Sequence, residues 1–104
     1  MVADNALVID RPRGSHHPRY PEVVYPLDYG YLKGTTGGDG SEIDVWRGSL
    51  SGNDLIAVIC TVDIMKVDAE IKLLVGCTES EIDVVNRFLN NDYMSAIVVR
   101  RANV

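Results

Sequence analysis

Residues 39 to 45, DGSEIDV, put three carboxylates, Asp39, Glu42 and Asp44, within six positions. Magnesium prefers carboxylate oxygens and keeps several of its waters. Asp39 ends a glycine-rich stretch and Asp44 lies on the extended segment behind it, so the two can converge on one ion. The same acids would also make an ordinary charged rim for a hairpin. A second acidic group lies in VDAEIKLL, residues 67 to 74, where Asp68, Glu70 and Lys72 alternate along the chain. Alternation places all three on one side of an extended segment. Such an edge is commonly a solvent face. A lysine beside carboxylates is also what a phosphate needs: a point charge for the anion and metals bridging its oxygens.

Two further groups stand out. Arg11, Arg13, His16, His17 and Arg19 fall within nine residues with no acid among them. This is either a solvated loop or an anion-binding one, since arginine forks match phosphate oxygens. YPLDYGY, residues 25 to 31, holds three tyrosines, of which Tyr29 and Tyr31 face the same way if extended. Packing with a bonded hydroxyl accounts for two of them, and a third can donate to a phosphate.

The elements that must position these groups are short. ALVI at 6 to 9 reads as a strand, followed by a loop over residues 10 to 22 rich in proline. A short strand is expected around Tyr29 to Leu32. EIDVW at 42 to 46 alternates outward Glu42 and Asp44 with inward Ile43 and Val45, the pattern of a half-buried strand. LIAVICTV at 55 to 62 and IKLLV at 71 to 75 read as buried strands, and SAIVVR at 95 to 100 as a closing one. Residues 78 to 91 switch to helical spacing, with Ile82, Val85, Phe88 and Leu89 on one face. Thr78 with Glu81 three residues later is a capping-box signature. The outline is about six short strands and one helix in the C-terminal half, which favours a small closed or partly open barrel.

Composition narrows the function classes. The 104 residues suggest one domain, 1–104, and a chain this short gains from oligomerisation. Apolar residues make up 46% and charged residues 24%, an ordinary globular composition. Fifteen acids against ten bases leave a net charge of -5, which argues against general nucleic-acid binding. Residues 1 to 9 lack the basic start and long apolar core of a signal peptide. The apolar run at 55 to 60 is far too short to span a bilayer. Cys60 and Cys77 sit in apolar contexts with no CxxC spacing, so reduced thiols and a cytoplasmic location are expected.

Taken together, YPLDYGYLKGT, then DGSEIDV, then IMKVDAEIKLLV resemble soluble family I inorganic pyrophosphatases. The family pattern is Tyr-Pro-x-Asn-Tyr-Gly-Tyr, then Asp-x-Asp-x-x-Asp, then Asp-x-Lys after an acidic loop. The upstream VIDRPRGSHHPRYPE is similar to its first strand and Lys-Tyr-Glu segment. The resemblance covers roughly residues 7 to 76, in a compact form lacking a hairpin after the first strand and a C-terminal extension. It implies a mainly β, OB-like barrel of five to six strands that hydrolyses pyrophosphate or a related phosphoanhydride, such as a nucleotide. It also implies several magnesium ions and a homo-oligomer, with no nucleic-acid or membrane partner. Asp39 and Asp44 match the outer aspartates that hold metal, Glu70 falls on a metal-binding aspartate, and Asp68 lies near another acid of that loop. Lys72 matches the phosphate-binding lysine and Tyr29 the tyrosine that touches phosphate. Arg19 falls where the family has a lysine, and Tyr93 matches a further phosphate-contacting tyrosine, with Met94 in place of the lysine beside it. Asp39, Asp44, Lys72 and Tyr29 are thus the implied catalytic set.

Two departures bear on turnover. Ser41 replaces the middle aspartate, which in the family helps activate the attacking water, and a serine does not take a proton near neutral pH as a carboxylate does. The family's arginine from the absent hairpin has no clear counterpart unless Arg11 or Arg13 substitutes. The alternative function is therefore a weakened or inactive pyrophosphatase-like barrel that binds an anion, a metal or a protein partner.

Overall fold

The computed structural model describes residues 6–38 and 40–100. Six strands and one helix follow in the order β1 (Leu7–Arg11), β2 (Asp28–Leu32), β3 (Ile43–Arg47), β4 (Leu55–Asp63), β5 (Asp68–Val75), α1 (Glu79–Phe88) and β6 (Met94–Arg100). They form one sheet in the order β1-β2-β3-β5-β4-β6. Only β3 and β5 run parallel, with Val45 opposite Leu73 and Trp46 opposite Leu74. The expected mainly β, OB-like architecture with a late helix is present. The sheet is open, with β1 and β6 at its two edges.

Cross-strand partners share a face, so the register sorts the side chains. Tyr29 pairs with Trp46 and Tyr31 with Asp44. Lys72 pairs with Ile59 and Glu70 with Thr61. One face therefore carries Tyr29, Trp46, Leu74, Ile59 and Ala57, and α1 lays Ile82, Val85 and Leu89 onto it to close the main core. The opposite face holds a smaller cluster around Leu32, Val45 and Val75. Consecutive Val45 and Trp46 are both buried. β3 is thus covered on both sides, as central strands with a parallel neighbour are. This corrects the expected polarity of β3. Asp44 does not point outward into solvent but lies on the Trp46 face, at the rim of the main core, and Val45 belongs to the smaller cluster.

α1 starts as its sequence dictates. Thr78 caps it in an extended conformation, its hydroxyl accepting from the Glu81 N–H while the Glu81 carboxylate accepts from the Thr78 N–H. Glu81 also accepts from the Ser49 N–H at 3.1 Å, tying the helix start to the β3–β4 turn. Burial works against the Glu81 carboxylate, but these backbone donors outweigh it and hold its pKa below the ordinary value. The helix ends at Phe88 with Leu89 as its C-cap, immediately before Asn90 and Asn91.

Two local features of β1 and β2 aim the site. A Cβ on Gly30 would lie 1.7 Å from the Val8 carbonyl oxygen, so only glycine lets β1 cross β2 there. Ile9 pairs with Gly30 and Arg11 with Tyr29, which leaves Asp10 as an extra, bulged residue. Without the bulge Asp10 would face Tyr29. With it, Arg11 moves onto the Tyr29 face, the re-aiming that bulges perform.

Candidate active site

Lys72 is the centre of the site. Its Nζ donates to Tyr29 Oη at 2.8 Å, Asp44 Oδ2 at 3.0 Å and Glu70 Oε2 at 2.9 Å. Three strands converge to build this. Asp44 precedes the β3–β5 pairing by one residue, Glu70 and Lys72 sit two apart on β5, and Tyr29 projects from β2 on the same face. The Lys72 side chain is 9% exposed, against 24% for Glu70 and 35% for Asp44. The ammonium end is thus inside and the carboxylates lean toward water. Burial alone would weaken the Lys72 charge; Tyr29, Asp44 and Glu70 outweigh it and hold the pKa above the usual lysine range. Burial raises the Tyr29 phenol well above its ordinary value, Lys72 offsets part of that, and a hydrogen bond with Asp44 adds to the rise. Tyr29 therefore stays a neutral hydroxyl beside a charged ammonium.

A cavity opens on each side of this junction. The first, of about 370 Å³, is bordered by Glu42, Asp44 and Glu70, by Ile43, Ala69, Ile71 and Leu73 of the opposite sheet face, and by the glycine-rich loop at Thr36, Gly37 and Gly38. The second, also of about 370 Å³, is bordered by Arg11, His17, Lys66 and Lys72 together with Tyr20, Tyr25, Tyr29, Trp46 and Tyr93. Its wall is a run of rings: His17 against Tyr25 at 6.2 Å between centroids, Tyr25 against Tyr29 at 5.6 Å, and Tyr29 against Trp46 at 4.5 Å. Arg11 lies over the Tyr25 ring and donates to its hydroxyl. The Trp46 side chain is fully buried, and its Nε1–H has no hydrogen-bond partner among the described residues. An unpaired buried donor costs about 1–3 kcal/mol.

His17 is held by its backbone surroundings. Nδ1 accepts from the N–H groups of Arg19 at 3.0 Å and Tyr20 at 3.2 Å, so a neutral ring carries its proton on Nε2. Burial lowers its pKa, and the charges of Arg11, Arg19 and Lys66 push in the same direction. Lys66 reaches the cavity from the β4–β5 turn, where Asp63 Oδ1 accepts from the Met65 and Lys66 N–H groups, both at 3.0 Å.

The residues singled out in the sequence divide into three sets. Tyr29, Asp44, Glu70 and Lys72 are brought together. Tyr93 stands at the rim of the basic cavity, 61% exposed. Arg19 and Asp68 are placed elsewhere. Arg19 is exposed on the 12–27 loop outside the cavity lining, where Arg11 and Lys66 stand instead and Arg11 lies over the Tyr25 ring. Asp68 lies opposite Asp63 at the end of the β4–β5 ladder, two residues beyond Glu70. Asp39 lies outside the described residues. Among the described residues no group of three or more His, Cys, Asp or Glu is placed to hold a metal. Glu42 accepts from the Gly34 N–H at 2.8 Å, so its carboxylate is partly engaged in the loop. The sequence reading passed over Lys66 and Trp46 and left Arg11 as one of two options. The bulge at Asp10 was the missing signal for Arg11, and non-local pairing creates it.

The architecture has known counterparts. An inorganic pyrophosphatase from Neisseria gonorrhoeae superposes with a TM-score of 0.68 at 18% identity, covering 86% of this chain and 77% of that one. An inorganic phosphatase from Anaplasma phagocytophilum gives 0.65 at 17% identity, covering 95% and 86%. An inorganic pyrophosphatase from Helicobacter pylori gives 0.63 at 16% identity, covering 96% and 86%. No protein-family model and no curated protein matches the chain. The fold is that of inorganic pyrophosphatases.

Proposed function

We propose that this protein hydrolyses inorganic pyrophosphate or a related phosphoanhydride with magnesium. One observation carries the reading: Lys72 donates to the Asp44 and Glu70 carboxylates and also borders a cavity that holds Arg11, Lys66 and several tyrosines, on a pyrophosphatase-like fold. A diphosphate seated on the basic side would meet Arg11, Lys72 and Lys66, with the Tyr29 hydroxyl beside Lys72. These fixed donors are aimed where charge builds on the leaving phosphate.

The donor set fits magnesium. The ion is usually bound by one or two carboxylates together with substrate phosphates rather than by an all-protein cage. Asp44 and Glu70 would hold it, with Asp39 and Asp68 as the further acids the sequence pattern offers. When bound it supplies charge neutralisation and a water of lowered pKa. Lys72 now shares both carboxylates, so it would hold them apart and oriented when the ion is absent. In the reaction, water attacks one phosphorus, the bridging P–O bond breaks, and two phosphates leave. With Ser41 in the middle of the acidic motif, no carboxylate stands there to take the water's proton. Losing one such base lowers rates about 10²–10⁴-fold. Slow turnover is the expectation, and Ser41 is equally the observation behind the second reading, a barrel that binds phosphates without hydrolysing them.

Phosphate release from pyrophosphate, with and without magnesium, separates the two. Magnesium-dependent release that falls in Asp44→Asn at a fixed, limiting magnesium concentration supports the enzyme. Pyrophosphate binding with no release at high protein concentration leaves only the binding barrel.

The same reading extends to assembly and place. We propose a homo-oligomer that buries the outer sheet face, where Val62, Ile71, Ile97 and Val99 are each more than half exposed. Edge strand β6, MSAIVVR, carries no proline and no charge before Arg100, so little blunts it against pairing with a second copy. Light scattering on wild type and Ile97→Lys tests this; a monomer in both would exclude it. Cys60 and Cys77 are free thiols, and burial raises Cys77 to about 11, in keeping with a cytoplasmic, reducing setting. No helix among the described residues is long and apolar enough to cross a membrane, and the acidic net charge supports no nucleic-acid partner.

A further inference from the structure

The basic cavity is larger and more aromatic than a bare diphosphate needs. Its volume of about 370 Å³ is room for roughly a dozen waters at about 30 Å³ each. It falls in the range of pockets that enclose organic ligands, about 300–1,000 Å³. Lys72 is buried and Arg11 half-buried in its wall, exposed Lys66 and the Asp63 carboxylate share the border, and two tyrosines are exposed there, Tyr20 at 53% and Tyr93 at 61%. Ring faces carry negative quadrupole density, so they offer nothing to an inorganic anion and a good surface to a planar organic group.

The Tyr20 ring is packed in place and the Tyr93 backbone is tied down. The Tyr20 ring packs on His17 at 5.2 Å, and its N–H is tied to the same imidazole. The Tyr93 N–H donates to Asn91 Oδ1 at 2.9 Å, and the Tyr93 carbonyl accepts from Ile64 at 2.9 Å.

We propose that the cavity accepts a diphosphate carrying a planar aromatic group, of the nucleoside diphosphate class, with phosphates toward Arg11 and Lys72 and the planar group on Tyr20 and Tyr93. This rests on the reading of the cavity as an anion site and narrows what that anion carries.

Calorimetric titration of the intact protein in magnesium, with ADP, pyrophosphate and adenosine as probes, tests it. Tyr20→Ala should weaken ADP about tenfold, the scale of one lost stacking platform, and leave pyrophosphate within about twofold. Tyr93→Phe should keep ADP affinity and Tyr93→Ala should lose it, because the ring and not the hydroxyl makes the contact. Both side chains are exposed, so these variants keep the fold. Pyrophosphate bound by the wild type, with ADP indifferent to Tyr20→Ala and Tyr93→Ala, overturns the proposal and leaves the anion site standing. Failure of both pyrophosphate and ADP to bind overturns the anion site with it.

Discussion

The two cavities beside Lys72 are equal in volume and opposite in chemistry. One is bordered by Glu42, Asp44 and Glu70 and a glycine-rich loop. The other is bordered by Arg11, His17, Lys66 and a wall of rings. The chain's net charge of -5 is thus unevenly spread, with a basic concavity kept within an acidic protein. Lys72 lines the second cavity and bonds Asp44 and Glu70, which border the first. On the proposed reading, the pieces for a cation and for a phosphate would be separated by this one side chain, and their coupling would run through it.

The strongest way to break this contrast is Lys72→Met. It leaves Asp44 and Glu70 facing each other without a counter-charge and removes a donor from the basic side. Phosphate release should fall about 10²–10³-fold, the scale of one lost electrostatic stabiliser. Stability should fall by about 2 kcal/mol in denaturant titration, less than for a fully buried pair because both carboxylates remain partly solvated. Unchanged turnover would remove Lys72 from the mechanism.

Gly30→Ala separates the cavities by geometry rather than charge. The added methyl would overlap the Val8 carbonyl, so β1 must shift and draw Arg11 off the Tyr29 face. A loss of about 3 kcal/mol is expected, with pyrophosphate KM raised and the magnesium requirement unchanged. A variant as stable as the wild type would show that β1 does not depend on this close approach.

The basic side also carries a pH signature. The pKa of His17 is lowered in the folded protein, so the unfolded chain binds its proton first as pH falls. Its contribution to stability is present above the ordinary histidine value of 6.5 and is lost as pH drops through the depressed folded value. A bound phosphate favours the protonated ring and works the other way, so pyrophosphate affinity should rise a few-fold over the same window. His17→Gln should flatten both trends, measured by thermal melts and titration across pH 5–8. The smallest effect belongs to a residue outside both cavities: Thr78→Ala should cost about 1 kcal/mol through the lost cap and leave both binding functions intact.

Much of this arrangement was legible in the chain. The six strands lay where β-branched runs and alternation put them, and the Thr78–Glu81 pairing marked the helix start because capping is a local matter. Glu70 and Lys72 could be grouped in advance because alternation puts them on one side of β5, whereas Tyr29 and Asp44 joined them only through the resemblance to pyrophosphatases. Which face that was could not be read: Asp44 was expected outward, and only the pairing of β3 between β2 and β5 puts it beside Trp46. The choice of Arg11 over Arg19 was hidden for a similar reason. It depends on one bulged residue, Asp10, opposite a strand some twenty positions away. The alternation that sets Ile43 and Val45 inward puts Trp46 on the outward side, and nothing local shows that its ring is buried or that its N–H goes unpaired.

The separation of roles is tested most directly by one pair of variants measured together. Phosphate release is followed while magnesium and pyrophosphate are each titrated, in Asp44→Asn and in Arg11→Ala. The expected result is a crossed pattern: Asp44→Asn raises the magnesium needed at saturating pyrophosphate, and Arg11→Ala raises KM for pyrophosphate at saturating magnesium. Both variants shifting the same parameter, or neither shifting any, would contradict a protein built with a cation on one side of Lys72 and a phosphate on the other.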